Sequence, residues 1–194
     1  MDTVSEKWPV TKGDFSAGNP KSCIAVVTLA SSMPLFEKAA IWGSCKTENL
    51  GAEKVVMNVV SNCNIRYVLL CGGESRGHLA GQTLKALYEN GIDEDGRILG
   101  SEGAIPFIEN LEIETIQRFR QQVELIDRTG LTDIDEIYSI VDNYHDSEKP
   151  FEASPISFRK AVRKYKPPES ISADILISEK VVMDAFSGLI YEIA

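Results

Sequence analysis

Tyr67-Val68-Leu69-Leu70-Cys71-Gly72-Gly73-Glu74-Ser75-Arg76-Gly77-His78-Leu79-Ala80-Gly81-Gln82 decides how the fold is read. Its first five residues form a short apolar run, the clearest strand of the chain. The glycines that follow end that strand. From Leu79 to Asn90, Leu84, Leu87 and Tyr88 recur at helical spacing, and Asn90-Gly91 is a helix stop. Strand, glycine-bearing turn and helix are the parts of a parallel α/β sheet, in which ligands bind beyond the carboxyl ends of the strands. The chain has two histidines, and His78 lies in this turn. A neutral imidazole there can ligate a metal.

The same alternation extends in both directions. Upstream, an irregular arm of some twenty residues leads into Cys23-Ile24-Ala25-Val26-Val27-Thr28-Leu29, an apolar run that predicts a buried strand. Ser31-Ser32-Met33-Pro34 then has the form of a helix start, with serine at the cap and proline in the first turn. Ala39-Ala40-Ile41-Trp42-Gly43 predicts a second strand. A helix through Val60 follows, capped by Asn49 or Thr47, with Val55, Val56, Val59 and Val60 on one face. Downstream, a short strand is expected over Arg97 to Leu99, before the loop Gly100 to Pro106. A helix over Ile113 to Gln122, a strand over Val123 to Asp127 and a helix through Val141 capped by Thr132 or Asp133 complete the series. The fold class is α/β, a parallel sheet with helices on both faces and a small C-terminal appendage.

The composition changes after Asn143, which divides the chain into residues 1–143 and 144–194. The second part opens on a polar linker, His145 to Pro150. A basic helix is expected within Phe151 to Lys166, stopped by Pro167-Pro168. Ile175-Leu176-Ile177 and Leu189-Ile190-Tyr191 flank an expected hairpin carrying Ser187-Gly188.

With 194 residues, of which 43% are hydrophobic, the chain can bury a sizeable core. Its net charge of −9 argues against nucleic acid, whose phosphates demand clustered Lys and Arg. The run Arg159, Lys160, Arg163, Lys164, Lys166 is a local exception that reads as a solvated helix face. The four cysteines (Cys23, Cys45, Cys63, Cys71) form no C-x-x-C pair, which disfavours structural zinc. No apolar stretch spans a bilayer or resembles a signal peptide, so a cytoplasmic protein is expected, with any membrane association through partner subunits.

Three polar loops then converge on one sheet edge: Ser44 to Asn49, Gly72 to Gln82 and Gly100 to Pro106. Their glycines permit close approach by a bulky ligand. Their N–H groups beside helix N-termini suit phosphate or amide oxygens. No G-x-G-x-x-G follows the first strand, and no G-x-x-x-x-G-K-[ST] occurs, so NAD and ATP are poorly supported. A histidine at a helix start is often only a capping or structural group. However, His78-x-x-Gly81 is the core of the D-x-H-x-x-G pattern of common corrinoid-binding domains, in which an aspartate orients the cobalt-ligating histidine. Here Arg76 holds the aspartate position, and Glu74 is the expected substitute for orienting the ring.

Gly43-Ser44-Cys45-Lys46-Thr47-Glu48-Asn49-Leu50-Gly51, Cys71-Gly72-Gly73-Glu74 through Gly77-His78-Leu79-Ala80-Gly81-Gln82, and Gly103-Ala104-Ile105-Pro106-Phe107-Ile108-Glu109-Asn110 together resemble the A subunit of tetrahydromethanopterin S-methyltransferase, over roughly residues 8–143. The resemblance implies a Rossmann-like domain that carries a cobamide (cobalamin). It implies a methyl group accepted on cobalt from methyl-tetrahydromethanopterin and passed to coenzyme M, in a complex with partner subunits that exports sodium. The family's histidine, the lower axial cobalt ligand, falls on His78. The cofactor contacts it implies are Ser44, Thr47, Glu48, Asn49, Gly72, Gly73, Gly77, His78, Gly81, Gln82, Gly103, Ala104, Ile105 and Pro106, with no catalytic side chain beyond the cobalt ligand. Ser101-Glu102 departs from the family's small neutral residues, the C-terminal part does not match, and the membrane-anchoring helix typical of the complex is missing. A soluble corrinoid-binding paralogue serving another methyl donor and acceptor, or storing corrinoid, fits as well. A phosphate- or nucleotide-binding domain using the same loops is a third reading.

Overall fold

The computed structural model describes residues 2–158, 175–178, 181–183 and 190–192. They fall into two compact units, residues 1–158 and 159–194. The first holds a five-stranded sheet in the order β1(Phe15–Ala17), β3(Ile41–Gly43), β2(Ile24–Val27), β4(Tyr67–Leu70), β5(Glu124–Asp127). Four strands are parallel; β1 is an antiparallel edge strand on β3. The expected parallel α/β sheet is therefore present, with one strand supplied by the arm read as irregular.

Period-two alternation sorts the strand side chains between two cores. Ala25, Val27, Val68 and Leu70 pack with residues of α1(Leu50–Val60), α2(Ala80–Asn90) and α3(Ile113–Gln122). Ile24, Val26, Trp42, Leu69 and Cys71 pack with Ile137 and Val141 of α4(Ile134–Tyr144). Leu84, Leu87 and Phe119 are fully buried. Each such side chain contributes about 1.5–3 kcal/mol relative to exposure. Among the described residues, helices cover both faces as expected, three on one and one on the other.

Several sequence expectations change. No helix begins at Ser31-Ser32-Met33-Pro34; residues 31–36 are irregular. The groups that would cap a helix are engaged elsewhere: Ser31 Oγ accepts from Gly73 N–H, and Thr28 Oγ1 donates to the Ser31 carbonyl. Phe36 instead stacks on Tyr138 of α4, centroids 4.3 Å apart. Arg97–Leu99 is not a sheet strand. It makes only isolated bridges, Ile92 with Ile98 and Arg97 with Phe107.

The segment after α4 also differs from a free linker. Cys23 N–H donates to His145 O, Phe151 N–H to Cys63 O and Ile156 N–H to Val60 O. Phe151 lies under two guanidinium groups, Arg118 at 4.3 Å and Arg66 at 5.6 Å. The first unit thus runs to Phe158, beyond the division expected at Asn143. Residues 151–158 are not helical, and the basic run 159–166 lies outside the described residues. In the second unit β7(Val181–Met183) pairs antiparallel with both β6(Ile175–Ser178) and β8(Ile190–Glu192), so the two apolar runs read as hairpin flanks are separated by a third strand. Ser187-Gly188 lies outside the described residues.

The strand order has a consequence for ligand binding. From β2 the chain passes to β3 on one side, then crosses over β2 through α1 to reach β4 on the other. The β2/β4 junction is therefore the switch point, where the crevice of a doubly wound sheet opens. Two non-glycine residues with left-handed backbones mark this edge: Leu29 (φ 50°) after β2 and Leu79 (φ 47°) before α2. Each such conformation costs about 1–3 kcal/mol, and strain of this kind collects at functional sites.

Candidate functional site

His78 follows β4 by way of Gly72 and Gly77, whose φ values of 78° and 77° only glycine adopts freely. A side chain on Gly72 would strike the Thr28 carbonyl, with Cβ 2.3 Å from the oxygen. This close approach ties the loops after β2 and β4 together, through Ala30 N–H to Gly73 O and Gly73 N–H to Ser31 Oγ. At Gly77 the space beside the backbone is open. The His78 side chain is 52% exposed there, while its Nδ1 lies 2.7 Å from Oε2 of Glu48, a carboxylate only 2% exposed.

Glu48 comes from the loop after β3. Its Oε1 accepts the Ile105 N–H at 2.7 Å. Burial pushes this carboxyl upward. Hydrogen bonds from its own N–H, from Ile105 and from His78, with the His78 charge, outweigh that and hold it below its ordinary value of 4.5. Glu48 is thus ionised at neutral pH and can only accept, so the proton on the His78–Glu48 bond sits on Nδ1. In the neutral form of the ring the lone pair is then on Nε2, which has no hydrogen-bond partner among the described residues. A carboxylate on one ring nitrogen and a free lone pair on the other is the arrangement of metal-ligating histidines.

The orienting partner of His78 is therefore Glu48 and not Glu74. Glu74 is engaged elsewhere, since Oε1 accepts from Ser75 and Gly81 N–H and Oε2 from Gln82 N–H, all at 2.9 Å. It supplies the cap of α2, whose N-terminal Leu79 has no capping side chain. Arg76 is exposed and makes no hydrogen bond among the described residues.

The loops converge, including the third, which reaches the edge without a preceding sheet strand. Gly103 is wedged in: a Cβ there would lie 2.7 Å from His78 O and 2.9 Å from Glu48 Cβ. Ala104 and Ile105 are exposed beside it, and Pro106 is buried, its carbonyl accepting from Ile98 N–H.

Several expected cofactor contacts are used within the protein itself. Gln82 donates from Nε2 to Gly100 O and accepts Glu102 N–H at Oε1, so both ends of its amide tie the third loop to α2. A Cβ on Gly81 would meet Glu74 Oε2 and Leu29 Cδ1, each at 2.8 Å, so its missing side chain makes room for the cap. Thr47 Oγ1 accepts from Gly51 N–H and Asn49 Oδ1 from Leu50 N–H, both capping α1. Ser44 donates its N–H to Asp14 O, and its hydroxyl makes no hydrogen bond among the described residues. His78, Gly77, Ala104 and Ile105 remain exposed at the edge.

Sequence reasoning missed Glu53. It is 4% exposed and accepts from Glu109 N–H, Asn110 N–H and Asn110 Nδ2. Two buried carboxylates, Glu48 and Glu53, thus fasten the stretch 105–110. The available signal was a glutamate among the apolar positions of α1, between Ala52 and Val56.

Fold and site together define a doubly wound α/β domain that presents a carboxylate-held imidazole at its switch-point edge. The family model for the A subunit of tetrahydromethanopterin S-methyltransferase matches residues 2–159. A protein of Methanosarcina barkeri that carries the name of the methyltransferase Mtx A subunit is 53% identical over 193 residues, covering 98% of this chain and 97% of its own. The tetrahydromethanopterin S-methyltransferase A subunit of Methanocaldococcus jannaschii is 52% identical over 135 residues, 67% of this chain and 56% of that one. Its counterpart of the same name in Methanosphaera stadtmanae is 51% identical over 143 residues, covering 72% and 57%. The chain belongs to the family of tetrahydromethanopterin S-methyltransferase A subunits and is a methyltransferase subunit. Among the described residues, no helix is long and apolar enough to cross a membrane.

Proposed function

We propose that the chain carries a corrinoid for methyl transfer, and that His78 Nε2 is the nitrogen that would hold its cobalt. The Glu48–His78 pair carries this reading. A cobalt ligand must be a neutral nitrogen donor, held in orientation and open to a flat macrocycle. The residues present fit that need: Glu48 fixes the proton on Nδ1, and the open space at Gly77 leaves the ring accessible.

When bound, the corrinoid would supply a nucleophilic cobalt centre for methyl transfer between methyl-tetrahydromethanopterin and coenzyme M. The chain's own residues bind, orient and tune. Glu48 raises the basicity of the imidazole by accepting a hydrogen bond from Nδ1–H, and it does so without exposing itself to water. Ile105 N–H shares the same carboxylate, which fixes the third loop beside the imidazole. No side chain has to act as nucleophile or general acid. Partner subunits bring donor and acceptor to the exposed edge. A second reading keeps the corrinoid and changes the donor and acceptor. It is favoured by the near-complete coverage of the Methanosarcina barkeri Mtx protein, against partial coverage of the tetrahydromethanopterin proteins.

The test is reconstitution. Protein refolded with cobalamin and freed of excess cofactor is expected to retain corrinoid stoichiometrically. In the cobalt(II) state, [¹⁵N]histidine labelling should change the axial-nitrogen hyperfine splitting, and His78→Ala should abolish that change. No retained corrinoid overturns the proposal. Retention with an unaltered hyperfine pattern in the variant removes the ligand role of His78.

A further inference from the structure

Residues 91–112, between α2 and α3, run out and return as one ribbon. Ile98 N–H donates to Pro106 O and Ile108 N–H to Gly96 O, both at 2.8 Å, and Arg97 bridges to Phe107. Gly96 permits this closeness, since a Cβ there would lie 2.4 Å from Ile108 O. The two limbs, 96–98 and 106–108, therefore move together. Ile98 and Ile108 are buried in the core that α1 shares.

The returning limb is tied to the start of α1 at both ends. At Ile105 the acceptor is Glu48 Oε1. At the other end Glu53 Oε1 accepts from Glu109 N–H at 2.7 Å and Asn110 N–H at 2.9 Å, and Oε2 accepts from Asn110 Nδ2 at 2.9 Å. Glu53 is itself rooted. It is 4% exposed, lies in the first turn of α1 and donates its N–H to Asn49 O.

We infer that Glu53 is a positioning residue for the His78–Glu48 pair. By fixing the exit of the ribbon it keeps the Ile105 N–H on Glu48 Oε1, and so keeps Glu48 Oε2 turned to the imidazole. The inference rests on the reading of His78 as the functional group of this edge. Without Glu53, the N–H groups of Glu109 and Asn110 lose their acceptor and turn toward water. Ile108, buried beside them, is the pivot. Ile105 stands three residues beyond it, at most about 10 Å away. At that radius a tilt of about 5° moves the Ile105 N–H by about 0.8 Å, which takes a 2.7 Å contact to the outer limit of a hydrogen bond. Glu48 Oε1 then lacks a partner in a buried place, and the carboxylate turns from Nδ1 toward water.

Proton exchange in the cofactor-free protein reads this chain of contacts. In Glu53→Leu, exchange of the Ile105 N–H and of the His78 Nδ1–H should each quicken about tenfold or more. Glu53→Gln should restore wild-type rates, because its amide oxygen accepts the two N–H groups while Asn110, its amide turned over, accepts from the new NH₂. Gln122→Leu, a destabilising change away from this edge, should leave both rates unaltered where the protein is folded, which separates positioning from loss of stability. If Glu53→Leu does not fold, Asn110→Ala decides: it removes one of the three contacts and should quicken Ile105 about threefold. Wild-type rates in folded Glu53→Leu or in Asn110→Ala, or equal quickening in Gln122→Leu, overturn the role of Glu53. None of these measurements needs corrinoid. Their failure leaves the hyperfine test of His78 standing, and failure of that test leaves Glu53 the anchor of a histidine–carboxylate pair without cobalt.

Discussion

Replacing Glu48 by Gln tests the central pair at one atom. The buried carboxylate accepts two hydrogen bonds of 2.7 Å, from His78 Nδ1 and Ile105 N–H. A glutamine of the same shape has one oxygen and one NH₂. If the oxygen stays with Ile105, the NH₂ faces His78 Nδ1, donor against donor. The imidazole then shifts its proton to Nε2, the atom required for the metal. If the oxygen turns to His78, the Ile105 N–H is orphaned. Hydrogen bonds to a buried charged group contribute about 1.5–3 kcal/mol each, so loss of one good contact should cost about 2–3 kcal/mol of stability. In a chain of this size that lowers Tm by about 4–12 °C. Loss of the carboxylate behind a metal-bound histidine lowers metal affinity about 10–100-fold.

The pH dependence gives an independent sign. The folded-state value of Glu48 is depressed below 4.5. Its stabilisation is therefore fully present above the unfolded value, and is lost as pH falls through the folded one. The gap between wild-type and Glu48→Gln protein should be constant above about pH 5 and close in more acid solution. Chemical denaturation across about pH 3–7, with corrinoid retention at about pH 7, measures both effects. A variant that unfolds at the wild-type midpoint, shows the same acid profile and keeps the axial-imidazole signature would refute the role given to Glu48.

Other substitutions separate the site from its supports. Glu74→Ala orphans the N–H groups of Gly81 and Gln82 at the start of α2, and that of Ser75 in the turn before it, and should cost about 1–2 kcal/mol in a thermal melt, as loss of a cap does. Hydrogen exchange should rise at Gly81 and Gln82, while Glu48 still holds His78. Gly103→Ala would place Cβ 2.7 Å from His78 O and must push the third loop outward. Corrinoid affinity should fall about tenfold or more, with Tm less affected than in Glu48→Gln; an unchanged affinity in a reconstitution titration would contradict the wedge. Gln122→Leu, far from the edge, is the control. Gln122 is fully buried, and its Nε2 donates to the carbonyls of Val59, Asn62 and Ile65. Its loss should cost about 3 kcal/mol by urea denaturation and leave corrinoid affinity unaltered at temperatures where the protein is folded.

The elements that position the site were legible because their causes are local. Tyr67 to Cys71 is apolar on both sides, and its strand is buried on both faces. The helix over Ile113–Gln122 has its expected bounds, and Asn49 and Asp133 cap as their side chains suggest. The crossover between β2 and β3 misled because Ser31 and Pro34 satisfy a local rule for starting a helix, while the protein spends Ser31 on Gly73 and Phe36 on Tyr138. Local capping preference is worth about 1 kcal/mol, less than the burial it competes with.

Within the site, the sequence by itself determined that His78 stands in a glycine-bearing turn after a buried strand, that Arg76 fills the place of an orienting aspartate, and that three polar loops belong together. Only the tertiary structure decided which carboxylate serves the histidine. Glu74 is four residues away, but the positive φ at Gly77 and Leu79 turns the chain so that Glu74 faces the first N–H groups of α2. Glu48 is thirty residues away and arrives because β3 and β4 flank β2 in parallel, which brings their carboxyl-end loops to one edge. Hydrogen bonds act over about 3 Å of space, whatever the separation along the chain. Sequence spacing could therefore name the histidine, while strand order was needed to name its partner.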